Sequence, residues 1–171
     1  MSSVTDPQAN FVSTHDPLEL RKALGQYATG VTIITTRGAD GTPIGLTANS
    51  FTSLSLEPPL VLWSLAKSAR SRDAFDAAGH FAVHVLGAEQ MALSRQFSSR
   101  VENKFAGVVF DFGHGGVPLL AECAARFQCR KYDSVEGGDH RIYIGEVVEF
   151  DHCVCEPLLF HAGQYGRKHP G

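Results

Sequence analysis

The sequence has little of what marks secreted, membrane-spanning or nucleic-acid-binding proteins. Its 171 residues include four cysteines and no C-x-x-C pair, which favours a reduced protein over a disulfide framework. We find no signal peptide and no long apolar run, so we expect a cytoplasmic protein without a membrane segment. A formal net charge of −3 argues against nucleic-acid or anionic-membrane binding, which usually needs an excess of basic residues.

Common nucleotide-binding and hydrolase motifs are also missing. The chain has neither G-x-G-x-x-G at a strand-to-helix junction nor a P-loop, and the "GHGG" at residues 113–116 is too short to replace them. No G-x-S-x-G segment marks a nucleophile elbow, although composition alone leaves a Ser-His-Asp hydrolase open. These absences disfavour a dinucleotide-binding α/β fold and a typical esterase.

A metal site is a weaker interpretation of the cysteines than ordinary packing. His152, Cys153 and Cys155 lie close together in the chain, but a structural zinc site needs four convergent ligands. If the C-x-C segment is a strand, alternation places both thiols on one face. We therefore expect buried or edge thiols, and no metal.

The length and the apolar fraction of 43% predict one compact domain. Residues 1–15 lack periodicity and predict a flexible tail, followed by a domain over residues 16–171. Asp16 as N-cap, Pro17 at N1 and Glu19 at N3 predict a short helix, with Gly30 available to end it.

Most of the remaining pattern indicates strands. "VTIITTR" and "TPIGLTANSF" flank the turn "GADG" and predict a hairpin, while "PPLVLWSL" suits a strand buried on both faces. Two short helices are predicted within "SARSRDAFDAAG" and "AEQMALSRQFSS", and the glycine-rich segment at 107–120 is predicted to be irregular. Two long alternating segments meet at "EGGDH". The sequence thus predicts a mainly β fold with a few short helices, closed or nearly closed into a barrel because closure removes sheet edges.

An anion site is one explanation of "LAKSARSRDAF". Here Lys67, Ser68, Arg70 and Ser71 precede or open a helix, and helix N-termini with hydroxyls and cations bind phosphate. The other explanation is an N-cap beside a solvated basic turn. The pattern leaves both open.

The segment at residues 45–61 is unusually polar for a strand. Alternation places on one face Thr47, Asn49, Phe51, Ser53 and Ser55, and on the other Ala48, Ser50, Thr52, Leu54 and Leu56. Such side chains beside a cleft can bind a planar heterocycle and its polyol chain. An exposed strand face rich in Ser and Thr explains the same pattern.

From about Leu20 to Gly166 the sequence resembles the short-chain flavin reductases of two-component monooxygenases. The matching segments, in family order, are "GVTIITT", "GLTANSFTSLSLEPPLVLWSL", "KSARS", "FAVHVL", "GGDHRIYIGEVVEF" and "LLFHAGQYG". The resemblance implies an antiparallel Greek-key split β-barrel, the FMN-binding split barrel. It also implies a homodimer with flavin near the subunit interface.

The resemblance assigns a role to each matching position. The isoalloxazine ring and ribityl chain would contact Thr47, Ala48, Asn49, Ser50, Phe51, Ser53, Leu54, Ser64, Leu65 and Ala66. The flavin phosphate would be held by Lys67, Ser68 and Ser71, with Arg70 as a further candidate. Phe105 and the segment "VENKF" would close over the flavin.

His140 in "GDH" would face the reactive side of the flavin, near the nicotinamide, with Tyr143 close by and Tyr165 bordering the pyridine nucleotide. Without the resemblance, "GDH" is simply a turn. The implied activity is hydride transfer from NADH, or NADPH as an alternative, to FMN or FAD. The reduced flavin would reach an oxygenase component, by free diffusion as one route. Two alternatives stay open: a split-barrel oxidase of the pyridoxamine-phosphate type and a non-enzymatic flavin or haem-binding module.

Overall fold

A computed structural model describes residues 15–168, so the tail predicted for residues 1–15 lies, except for His15, outside it. The helices are α1 (Pro17–Leu24), α2 (Arg72–Ala77) and α3 (Met91–Ser98), with 3₁₀ turns at Ala88–Gln90 and His114–Gly116. The strands are β1 (Thr29–Gly30), β2 (Thr32–Arg37), β3 (Pro43–Ala48), β4 (Thr52–Leu56), β5 (Pro59–Ala66), β6 (His80–Val85), β7 (Phe110–Phe112), β8 (Pro118–Leu120), β9 (Ala125–Gly137), β10 (His140–His152), β11 (Leu159–His161) and β12 (Gln164–Gly166).

The main sheet has seven antiparallel strands in the order β3-β2-β6-β9-β10-β5-β4. The predicted mainly β fold with a few short helices is confirmed. The hairpin of β2 and β3 and the long pair of β9 and β10 also agree with the sequence prediction. Gly138 turns β9 into β10 with a φ of +62°, a backbone conformation that favours glycine.

The two edge strands of this sheet are consecutive in the chain, which forces the sheet to curl. In a flat sheet, seven strands would separate β3 from β4 by about 29 Å, at roughly 4.8 Å per strand. The chain from Ala48 to Thr52 spans at most about 14 Å. The edges must therefore approach each other, and the segment at 45–56 is two strands rather than the single strand predicted.

Ser50 joins these two edges. Its hydroxyl donates to the carbonyl oxygen of Ser64 at 3.0 Å and accepts from the backbone N–H of Ser64 at 2.9 Å. The pairing of β4 with β5 ends at the pair of Thr52 and Leu62, and Ser64 lies two residues further along β5. A side chain thus replaces the missing strand partner at the point where the curled sheet meets itself.

The interior of the curled sheet is packed by aromatic side chains. Trp63 stacks on Tyr143 with ring centroids 4.9 Å apart and contacts the edge of Phe75. A second apolar cluster lies on the other side of β2 and includes Ile33 and Phe97. On β5 only the face of Val61, Trp63 and Leu65 is buried, so the prediction of two buried faces is wrong.

Two further predictions need correction. Helix α1 ends at Leu24, where the N–H of Gly25 closes its last turn, and Gly30 lies in β1 instead. The segment at 107–120 contains the β7–β8 hairpin around a 3₁₀ turn. Strand β12, which pairs with β11, was not predicted. Short pairs such as these depend on tertiary partners, which local composition does not reveal.

The cysteines divide into two classes. Cys123 and Cys129 are buried, as expected, whereas Cys153 and Cys155 follow the end of β10 and are exposed. Within residues 15–168 no group of three or more His, Cys, Asp or Glu side chains is placed to hold a metal ion. No helix in the same part of the chain is long and apolar enough to cross a membrane.

Candidate functional site

A cavity of about 1230 Å³ opens between strand β3, the turn after β5 and the segment that follows α3. It collects several predicted cofactor residues, namely Thr47, Leu65, Ser68, Ser71 and Phe105, together with Arg70. Phe105 packs edge-on against Phe97, with ring centroids 4.9 Å apart. One side of the cavity is therefore aromatic, which suits a planar ligand.

The lining of the cavity also carries an excess of positive charge. Arg70, Arg100 and Lys104 line it against one acidic residue, Glu102, an excess of two positive charges. None of these three cations forms a salt bridge among the residues that the structure describes. The Lys104 ammonium donates to the Phe97 carbonyl at 2.7 Å, and burial lowers its pKa. An anionic group in this cavity would relieve an unbalanced charge.

The turn at residues 67–71 agrees better with an anion site than with simple capping. Ser71 occupies the N-cap of α2, yet its side chain makes no capping hydrogen bond. Ser68, Arg70 and Ser71 line the cavity instead. The hydroxyls and the guanidinium thus lie where a phosphate could be bound.

Lys67 points away from these residues. Its ammonium pairs with Glu136, which also accepts from Arg141. These two cations, Lys67 first, lower the pKa of Glu136 to about 2. The structure thus places Lys67 near the turn but outside the cavity lining.

His140 lies beside the same turn, through strand pairing. It is in register with Ala66, and the N–H of Lys67 donates to the Asp139 carbonyl at 2.9 Å. The Asp139 carboxylate is 2.7 Å from Nδ1 of His140, and this contact lowers the pKa of Asp139. His140 is therefore close to the predicted phosphate turn, with its ring held by a carboxylate.

Tyr143 does not lie beside His140, contrary to prediction. Residues 140 and 143 are an odd number of positions apart on β10, so their side chains point to opposite faces. Tyr143 is buried against Trp63, and its hydroxyl donates to Oδ1 of Asp76 at 2.6 Å. Burial and this hydrogen bond raise the pKa of Tyr143. Its place is in the core, below the surface that carries His140.

Tyr165 is linked to the cavity through α3. The Tyr165 hydroxyl is 2.9 Å from the hydroxyl of the buried residue Ser94. The backbone carbonyl of Ser94 in turn accepts a hydrogen bond from the Thr47 hydroxyl at 2.7 Å. Arg95 lies over the Tyr165 ring, 5.7 Å from its centroid. The C-terminal hairpin and β3 are thus held by one polar chain, in which Ser94 was not predicted.

The remaining predicted residues surround the point where the sheet edges meet. Asn49, Ser53 and Leu54 are exposed, whereas Ala48, Ser64 and Ala66 are half-buried on β3 and β5. Ser50 uses its hydroxyl on Ser64, and Phe51 packs on Phe127 with centroids 5.7 Å apart. The structure does not bring these eight residues into the cavity of this single chain.

Sequence reasoning missed the cationic contribution of the segment after α3. Arg100 and Lys104 flank an irregular stretch, and isolated basic residues in loops are common. Only the spacing of two cations before the predicted Phe105 could have suggested a second part of the anion site.

These features define a curled antiparallel β protein with a cavity suited to an anionic, aromatic ligand such as a nucleotide cofactor. A family model, the flavin reductase like domain, matches residues 24–169. The chain belongs to this family. The resemblance to flavin reductases and the split-barrel fold class predicted from it are confirmed.

Relatives and solved structures agree with this membership. An NADH-dependent FMN reductase of Agrobacterium fabrum is 46% identical over 86% of this chain and 83% of its own length. The reductase subunit of a flavin-dependent monooxygenase of Rhodococcus jostii is 43% identical over 96% of this chain and 85% of its own. A probable flavin reductase of Rhizobium meliloti is also 46% identical, over 88% of this chain, but the chain spans only 48% of that protein's length.

Among solved structures, an NADH:FAD oxidoreductase of Streptomyces globisporus in complex with NAD and FAD fragments superposes with a TM-score of 0.88. It is 39% identical, over 95% of this chain and 98% of that one.

Proposed function

We propose that this protein is a flavin reductase that oxidises NADH, reduces FMN or FAD, and supplies the reduced flavin to a separate oxygenase component. The observation that supports this most is the cationic, aromatic-sided cavity at the residues predicted to bind flavin. The relatives, which are named as NADH-dependent flavin reductases and as a monooxygenase reductase subunit, support the same activity.

The residues present fit a flavin nucleotide. Ser68, Ser71 and Arg70 would hold the phosphate, and Lys104 would add a charge from the opposite side of the cavity. Phe105 would cover the ring system. When bound, the flavin supplies the chemistry of accepting a hydride, so the protein needs no nucleophile of its own.

Lys67 contributes to the phosphate site only if it leaves Glu136. Both side chains are about half exposed, 41% and 53%, so water screens this ion pair and it contributes little to stability. A bound phosphate can therefore compete for Lys67 at little cost. We keep Lys67 as an outer phosphate ligand, behind Ser68 and Arg70.

His140 would contact the nicotinamide. Asp139 holds its ring, and its pairing with Ala66 places it next to the residues that follow β5. Orienting the two reactants at a near-attack distance of about 3–3.5 Å is the main contribution that a protein makes to such a transfer. Tyr165, anchored on Ser94, would border the pyridine nucleotide.

The active form would be a homodimer in the cytoplasm. Several apolar side chains are exposed in the single chain, including Leu56 at 89%, Phe150 at 65% and Leu54 at 49%. A second copy that covers them would also shield Asn49 and Ser53 and bring them against the flavin. Size-exclusion chromatography with light scattering tests this, and a monomer at micromolar concentration would contradict it.

One assay separates the proposed activity from its alternatives. Purified protein is mixed with NADH or NADPH, with and without added FMN or FAD, and pyridine nucleotide oxidation is followed at 340 nm. We expect NADH oxidation only when flavin is added. Oxidation without added flavin would indicate a tightly bound cofactor, and flavin binding without oxidation would indicate a binding module. Adding an oxygenase component across a dialysis membrane would test transfer by diffusion.

A further inference from the structure

Cys153 and Cys155 form an exposed pair of thiols that the proposed reaction does not use. They lie between β10 and β11, and their Sγ atoms are 2.7 Å apart, with the Cys153 thiol donating to Cys155. The two sulfurs are therefore in direct contact while both cysteines are free.

The backbone makes this contact possible because β10 ends before the pair. In a regular strand, residues i and i+2 are about 6.6 Å apart along one face, whereas a disulfide requires Cβ atoms about 3.5–4.5 Å apart. The last residue of β10 is His152. The C-x-C segment therefore lies outside the strand, and its two side chains can lie closer together than the strand spacing assumed in the sequence analysis allows.

The segment is also held at both ends. The N–H of Cys153 donates to the Ala124 carbonyl at 2.9 Å, and the Glu156 carbonyl accepts from Ala88 at 2.8 Å. Two residues on, Leu158 donates to Leu86 at 2.8 Å. These bonds restrict the chain on either side and keep the two thiols together.

The other two cysteines provide an internal contrast. Burial raises the pKa of Cys123 to about 11 and that of Cys129 to about 12. Their thiolates are therefore scarce and shielded from solvent. Within the exposed pair, the side-chain interaction with Cys153 raises the pKa of Cys155.

We propose that Cys153 and Cys155 are a peroxide-oxidisable dithiol, which closes to a disulfide within the chain. The Cys153 thiolate attacks hydrogen peroxide, the O–O bond breaks, and the leaving hydroxide takes up a proton to give water and a sulfenic acid. The Cys155 thiolate then attacks Cys153 Sγ, the S–O bond breaks, and the leaving hydroxide takes up a proton from solvent to give a second water. The two sulfurs lose two electrons in total, and the peroxide gains them.

The source of peroxide rests on the proposed function. Reduced flavin that meets dioxygen instead of an oxygenase is oxidised and yields hydrogen peroxide. A reductase that releases reduced flavin is therefore close to the site where this oxidant forms. The dithiol chemistry itself requires only peroxide.

Mass spectrometry after thiol labelling tests the proposal. Trypsin cleavage after Arg141 and Arg167 gives the peptide 142–167, which contains Cys153 and Cys155 and no other cysteine. The full chain is reduced, freed of reductant, treated with equimolar hydrogen peroxide, denatured and alkylated. We expect this peptide to lose both labels and the mass of two hydrogen atoms, reversibly with dithiothreitol, while Cys123 and Cys129 stay labelled.

Variants and turnover sharpen the result. In Cys155→Ser, the sulfenic acid on Cys153 should persist and react with dimedone. Retention of both labels in the wild type, or a link to Cys123 or to another molecule, would overturn the proposal. Oxidation during aerobic turnover with NADH and flavin should be blocked by catalase. If added peroxide oxidises the pair but turnover does not, the dithiol is supported and the reductase as its peroxide source is refuted.

Discussion

Replacing Ser50 with alanine should loosen the point where the curled sheet meets itself. The hydroxyl makes two hydrogen bonds, one to each backbone group of Ser64. Because β4 begins at Thr52, opposite Leu62, it offers Ser64 no strand partner. Ser50→Ala leaves an N–H and a carbonyl without these bonds in a half-buried place.

The expected loss of unfolding free energy is about 1–2 kcal/mol. An unsatisfied buried group costs roughly 1–3 kcal/mol, and partial access to water places this site at the lower end. For a chain of this size, 1 kcal/mol changes Tm by about 2–4 °C, so Tm should fall by about 2–8 °C. Differential scanning calorimetry of the protein without flavin measures it directly.

Ser53→Ala is the matched control. Ser53 is an exposed serine on β4, three positions along the same segment, and surface substitutions usually stay within about 0.5 kcal/mol. If Ser50→Ala and Ser53→Ala have the same Tm, the Ser50 hydrogen bonds do not stabilise the barrel. The argument that a side chain joins the two edges of the sheet then fails.

The remaining predictions concern the cavity, the core and the nicotinamide side. Lys104→Met should weaken FMN binding about tenfold in a fluorescence titration, since it removes a cation that has no salt-bridge partner within residues 15–168. Lys22→Met, on the exposed helix α1, should leave the Kd unchanged, and equal effects would refute the cavity as the phosphate site. Burial lowers the pKa of His84 to about 4 from an ordinary value near 6.5. Below pH 6.5 the unfolded chain therefore takes up a proton that the folded chain does not, so about 3 kcal/mol of unfolding free energy is lost as the pH falls towards 4. Urea unfolding at pH 7.5 and 5 should reveal this dependence on pH, and the dependence should weaken in His84→Leu. His140→Ala should raise the KM for NADH with little change in flavin Kd, and an unaltered KM and kcat would sink its assignment to the nicotinamide side.

Much of the fold could be predicted because its strands have local signals. The β2–β3 hairpin and the long β9–β10 pair are flanked by turn residues and show alternation, and Asp16 does cap α1 by accepting from the Leu18 N–H at 2.8 Å. The break at residues 49–51 could not be seen, because a change of sheet edge leaves no mark in side-chain periodicity. β1 and β12 were missed for a similar reason, since both depend on pairing with β11.

The candidate site was predictable where it follows a local pattern and not where it depends on distant segments. The turn with Ser68, Arg70 and Ser71 follows a strand directly, so its anion-binding character is visible in the sequence. Arg100 and Lys104 reach the same cavity only because α3 packs across β3, where Gly45 leaves room for the Phe97 ring. A Cβ at Gly45 would come within 2.5 Å of that ring. Alternation, had it been applied to β10, would have separated Tyr143 from His140.

The polar side chains at residues 47–53 have at least two structural uses that precede any ligand. Thr47 ties β3 to the carbonyl of Ser94, and Ser50 completes the hydrogen bonding of Ser64 where the sheet edges meet. A closed, fully paired barrel would not need the Ser50 hydroxyl, but it would also leave no opening beside β3. The same interruption that requires Ser50 to replace strand pairing therefore creates the space for the cavity. Since Thr47 and Ser50 already have backbone partners, we expect phosphate affinity to depend on Arg70 and Lys104 more than on these two hydroxyls.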